Sequence, residues 1–175
     1  MFISREKYIF SKNKEFDEII RFSSYGILLF LIPIFLSHQF LAGVIVNALL
    51  IKTALDHSLK KVAILCLLPS LAVVTSGFIF GNLTSYLIYV LPFIWISNFI
   101  IAYVSKKLFV EQKKNYFFST GMATIAKTVF LFLCVAGLFL LELVPALFLS
   151  AFGIMQLITA QSGALIIGFL KLRKH

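Results

Sequence analysis

Residues 116 to 140 read YFFSTGMATIAKTVFLFLCVAGLFL, an apolar run that contains one charged residue, Lys127. At about 1.5 Å per residue such a run is long enough to cross roughly 30 Å of hydrocarbon as an α-helix. Within lipid every backbone polar group must be satisfied by the protein, and a helix does so inside one segment. The run is therefore read as a transmembrane helix. Working outward, stretches of the same character occupy residues 22–38, 40–57, 61–81 and 83–105 before it and 145–170 after it. The expected fold is all-α, a polytopic integral membrane protein whose six transmembrane helices form one bundle over residues 22–175. A charged segment, residues 1–21, precedes it.

The basic residues fall at alternate connections. Arg5, Lys7, Lys12, Lys14 and Arg21 precede the first span, and Lys60 and Lys61 follow the second. Lys106, Lys107, Lys113 and Lys114 follow the fourth span, and Lys171, Arg173 and Lys174 follow the sixth. The connections around His38 and Gln39, around Gly81 and Asn82, and from Leu141 to Pro145 contain no lysine or arginine. The positive-inside bias then predicts a multi-pass protein with both termini cytoplasmic. It also accounts for a net charge of +9 in a chain that is 61% hydrophobic. These lysines are placed for anionic headgroups of membrane lipid and not for nucleic acid. Residues 1–21 lack the apolar core and cleavage site of a signal peptide and are expected to be retained. Their mixture of apolar and acidic side chains suits either a short helix on the cytoplasmic surface, before the chain turns into the first span, or a frayed tail.

The 175 residues leave room for one bundle and no separate catalytic domain. No Gly-rich phosphate loop follows a strand pattern. Cys66 and Cys134 are isolated, and His38, His57 and His175 have no ligand spacing, so neither metal nor cofactor is expected. The spans hold no carboxylate pair and no Ser-His or Cys-His partnership, which argues against an enzyme.

Polar groups inside hydrocarbon are costly and usually face the bundle interior or a cavity. Lys52 precedes Asp56 by four residues and is expected to pair with it on one helix face. Lys127 lies about 16 Å from the start of its span, near the midplane, with no carboxylate at similar depth. Such an ammonium must lose its proton, be bathed in cavity water, or meet an anion brought from outside. That makes Lys127 a candidate ligand contact, with a structural lysine bonded to amide and hydroxyl oxygens as the alternative. Thr124 shares its helix face. Asn47, Gln156 and Thr159 lie at depths from which they can converge with Lys127, and Asn98 and Trp95 follow Pro92 on the fourth span. The candidate substrate-binding set is thus Lys127, Gln156, Asn47, Asn98, Thr124, Thr159 and Trp95. Pro92 is the expected kink, and Gly77 with Gly81 forms a GxxxG pair expected to line a close helix contact.

Four segments in this order carry a family resemblance: Gln39 to Leu50, Leu91 to Asn98, Ala126 to Phe132 and Met155 to Gly163. With the length and six spans, they resemble small bacterial membrane proteins related to the substrate-binding S components of energy-coupling-factor (ECF) transporters. The resemblance covers most of residues 39 to 170. It implies a subunit of the bacterial cell membrane that captures a vitamin, vitamin precursor or similar small organic solute from outside. A transmembrane coupling subunit and two cytoplasmic ATPases would then drive release. Many such components carry Ala-x-x-x-Ala on the first span, where the coupling subunit docks; here that span reads SSYGILLF from Ser23 to Phe30. The alternative is a structural or assembly membrane protein without a ligand.

Overall fold

The computed structural model describes residues 2–36, 38–77 and 79–173, with side chains from residue 15 onward. It is 87% helical, and six of its helical stretches are long and apolar enough to span a membrane. The helices are α1 (Phe2–Phe35), α2 (Gln39–Asp56), α3 (Leu59–Leu65), α4 (Leu68–Ser76), α5 (Leu87–Ser105), α6 (Tyr116–Leu140), α7 (Leu147–Phe152) and α8 (Ile154–Leu172). A 3₁₀ turn, Gly81–Tyr86, leads into α5, and a π-turn, Lys106–Glu111, extends it.

The backbone of α1 passes through Arg21 and Phe22 without a break, so no turn separates residues 2–21 from the first span. The side chains proposed for a surface helix at Phe2, Tyr8 and Ile9 lie outside the described residues, as do Lys174 and His175.

Two spans are broken, and neither break is at Pro92. Helix α5 continues through Pro92, whereas the third span divides into α3 and α4 at Cys66 and Leu67. Pro69 stands in the first turn of α4. It has no N–H to offer the carbonyl four residues earlier, so a continuous helix would lose a bond there. The sixth span divides into α7 and α8 at Gly153. At the start of α6, the Asn115 side chain accepts from the backbone N–H groups of Phe117 (2.9 Å) and Phe118 (3.4 Å) and caps the helix.

Helix α2 packs against α1, α5 and α8. Its approach to α8 depends on Gly163, where a Cβ would lie 2.7 Å from both the Ala48 nitrogen and the Val44 oxygen. The backbones thus meet at van der Waals range, with Ala160 and Ala164 buried along the same seam. The expected Gly77 and Gly81 packing face is not formed. Gly77 ends α4 at φ +67 and Gly81 opens the 3₁₀ turn at φ +53, and no heavy atom would lie within 4 Å of a Cβ at Gly81. These two glycines serve a turn.

Buried apolar side chains form two clusters stacked along the bundle. One holds Leu50, Ile51, Val62, Ile101 and Ala123, and the other Leu87, Val90, Leu131, Val135 and Phe148. Along α5, Asn98 lies between Val90 of one cluster and Ile101 of the other; along α6, Lys127 lies between Ala123 and Leu131. A polar layer therefore separates two apolar ones. At the lysine-rich end, Lys52 pairs with Asp56 at 2.8 Å, as their spacing predicts.

Candidate functional site

Lys127 is among the largest fully buried side chains, with 1% of its surface exposed. Its Nζ donates to Oδ1 of Asn47 at 2.6 Å and to Oδ1 of Asn98 at 2.9 Å. These two oxygens come from α2 and α5, so one ammonium ties three helices together. These hydrogen bonds offset part of the cost of taking the amine out of water.

Each asparagine is held in turn through its amide nitrogen. Asn47 Nδ2 donates to the Gly43 carbonyl at 2.9 Å and lies 3.5 Å from Thr159 Oγ1. Asn98 Nδ2 donates to the Cys66 carbonyl at 3.0 Å, at the break between α3 and α4. The break between α3 and α4 thus presents a carbonyl that orients Asn98, and Asn98 orients the lysine. With both amide nitrogens engaged as donors, both Oδ1 atoms are left to accept from Nζ.

A cavity of about 100 Å³ opens from this network. Lys127, Asn47, Asn98, Gln156 and Thr159 line it, so five of the seven expected site residues surround one space. The other two do not line it. Thr124 Oγ1 donates to the Gly121 carbonyl at 2.8 Å and lies 3.0 Å from Gln161 Oε1, which joins α6 to α8 outside the cavity. Trp95 lies behind the wall, and its Nε1 donates to Ser70 Oγ at 2.7 Å.

Ser70 and Gln39 line the cavity and were not among the expected residues. Gln39 opens α2, a position that reads as loop in the sequence, and Ser70 lies near the start of α4, just after the break in the third span. The wall is otherwise apolar. Phe80 and Phe152 stack at 5.9 Å between ring centroids, inclined by 15°, and Phe80 meets Phe148 edge-on at 5.5 Å. Phe80 lies in the connection between α4 and the 3₁₀ turn, and Gln39 is the first residue of α2, next to the α1–α2 connection. The cavity therefore runs from the lysine-poor end of the bundle to Lys127.

Among the described residues, no acidic side chain lines the cavity. Lys127 supplies an amine, Gln39 and Gln156 supply amides that can donate or accept, and Ser70 supplies a hydroxyl. Nζ donates to two protein oxygens, and no third acceptor is bonded among the described residues. The arrangement can receive a small electron-rich or anionic group at its inner end and an apolar portion against the phenylalanines. Comparison with protein-family models, curated proteins and solved structures finds no match to this chain.

Proposed function

We propose that this protein is a substrate-binding subunit resembling the S components of ECF transporters. It takes a small organic solute, of the vitamin or vitamin-precursor class, from the outer face and does no covalent chemistry. The observation that carries this reading is the buried Lys127 amine at the end of a cavity lined by Gln39, Gln156, Asn98 and Thr159 and, among the described residues, by no carboxylate. A mostly apolar pocket with a few convergent polar groups is what small-molecule sites present. In this reading the lysine-poor end faces outward, both termini are cytoplasmic, and the membrane is the bacterial cell membrane. A transmembrane coupling subunit and ATPases would be its partners.

A second reading, a structural or assembly membrane protein, is favoured by one specific observation. Lys127 already has two protein oxygens within 2.9 Å, and the cavity of about 100 Å³ is small beside the roughly 300–1,000 Å³ usual for organic ligands. The solute-binding reading therefore requires the Phe80 end to move apart when a ligand enters. Native mass spectrometry of the protein extracted from its own membrane separates the two. A retained small molecule, held more weakly by Gln156→Leu, supports the binding subunit; a ligand-free spectrum in mild detergent and in nanodiscs supports the scaffold.

A further inference from the structure

A second and larger cleft lies at the opposite, lysine-rich end, with a volume of about 840 Å³. Helices α1 and α8 flank α2 there, and α2 forms the floor with Leu55, Asp56 and Lys52. The π-turn supplies Phe109 and Val110, and α8 supplies Ile167, Leu170 and Lys171. None of these residues belongs to the Lys127 cavity.

The cleft is built and not merely left over. Lys106, the first residue of the π-turn, donates from Nζ to the carbonyls of Ala54 (3.1 Å) and His57 (2.5 Å), which fastens the turn to the end of α2. Lys171 Nζ stands 3.7 Å from the centroid of the Phe109 ring, which holds the ammonium against the aromatic wall. Asp56 is satisfied from two sides, accepting from Tyr25 at 2.7 Å and from Lys52 at 2.8 Å. Two lysines against one aspartate leave the cleft with a single net positive charge. Beside it lie the apolar faces of Leu55, Ile167 and the half-exposed Leu170 and Val110.

We propose that this cleft binds one anionic phospholipid, its phosphate between Lys52 and Lys171 and an acyl chain along Leu55, Ile167 and Leu170. Charge complementarity selects this occupant. One net positive charge matches one phosphodiester, whereas the phosphate of a zwitterionic lipid is already balanced by its own cation. The apolar wall distinguishes a lipid from a soluble phosphate, which would leave that wall wet. Basic pockets between helices at a membrane edge are suited to such headgroups. The inference is independent of any solute at Lys127.

The test uses the full chain reconstituted in vesicles of equal parts phosphatidylglycerol and phosphatidylcholine, then extracted for native mass spectrometry with thermal stability followed in parallel. One phosphatidylglycerol should remain per chain. Lys52→Met with Lys171→Met should weaken its retention about thirtyfold, while Lys60→Met with Lys114→Met, which removes the same charge elsewhere at that edge, should change it less than twofold. Leu170→Trp, which fills the apolar end and keeps both lysines, should also lower retention, and it decides the matter if the double variant does not fold. Equal loss in the two double variants, equal retention of the two lipids, or displacement of the bound lipid by millimolar inorganic phosphate would overturn the proposal.

Discussion

Lys127 and Asn47, separated by 80 positions in the chain, meet in the middle of the bundle with Nζ and Oδ1 2.6 Å apart. Asn98 completes the contact at 2.9 Å, so α2, α5 and α6 share one polar junction between two apolar clusters. This junction fixes register: sliding α6 along its neighbours by one turn would move the ammonium about 5.4 Å into one of those clusters.

The three residues should therefore behave as a unit. Asn98→Leu removes an acceptor from Lys127 and the donor to the Cys66 carbonyl, and it should lower stability by about 2–3 kcal/mol. Combined with Lys127→Met, the loss should fall short of the sum of the single losses, with a coupling of about 0.5–3 kcal/mol. A double-mutant cycle of thermal unfolding in one detergent measures this, and strict additivity would show that the contact does not operate in the folded protein.

Close packing of α8 on α2 yields a second expectation. A methyl group at Gly163 would lie 2.7 Å from backbone atoms of α2 and 3.1 Å from Cβ of Asn47, so neither neighbour can yield by rotating a flexible side chain. Gly163→Ala should cost about 1–3 kcal/mol. Gly121→Ala, where a Cβ meets nothing within 4 Å, should leave stability unchanged or slightly raised. Equal melting temperatures for the two variants would mean that the α2 and α8 backbones are not in contact.

The helices and the buried lysine were legible in the sequence because both follow from hydrocarbon thickness: length counts the spans, and depth singles out Lys127. Which polar residues reach the cavity was only partly legible, because helix rotation and helix breaks decide it. Thr124 lies three positions before Lys127, yet its hydroxyl is taken by Gly121 and Gln161. Ser70 lines the site just after the interruption beside Pro69, and Pro92 gives no comparable break. Whether a span breaks beside a proline depends on the neighbours that take up unpaired backbone groups, as Asn98 does for the Cys66 carbonyl at the break before Pro69, and sequence spacing does not contain that information.

The charges at the connections predict an orientation. A reporter at Asn115, among Lys113 and Lys114, should be cytoplasmic, and one at Asn82 should be external. Cysteine accessibility in intact cells, with Cys66 and Cys134 replaced by alanine, checks both. Labelling of position 115 from outside would invert the bundle and put the cavity mouth on the cytoplasmic face.

Gln156 gives the cleanest separation between a binding site and a scaffold. Lys127, Asn47 and Asn98 bond to one another, so truncating any of them lowers stability whether or not a solute exists. Gln156 lines the same cavity, and its side-chain amide has no hydrogen-bond partner among the described residues; its backbone carbonyl accepts from Thr159 at 3.2 Å and is unaffected by a side-chain change. Gln156→Leu should therefore leave the melting temperature of the ligand-free protein within a degree or two. If a solute is bound, the variant loses a neutral hydrogen bond to it, about 0.5–1.5 kcal/mol, or more where a buried ligand group is left unpaired. That is roughly a two- to tenfold weaker retention, read by native mass spectrometry or by the ligand-induced rise in melting temperature. A variant as stable as the parent but with weaker retention assigns the cavity to a solute. A less stable variant, with no ligand found in either protein, would instead make Gln156 part of the packing and the cavity a gap between helices.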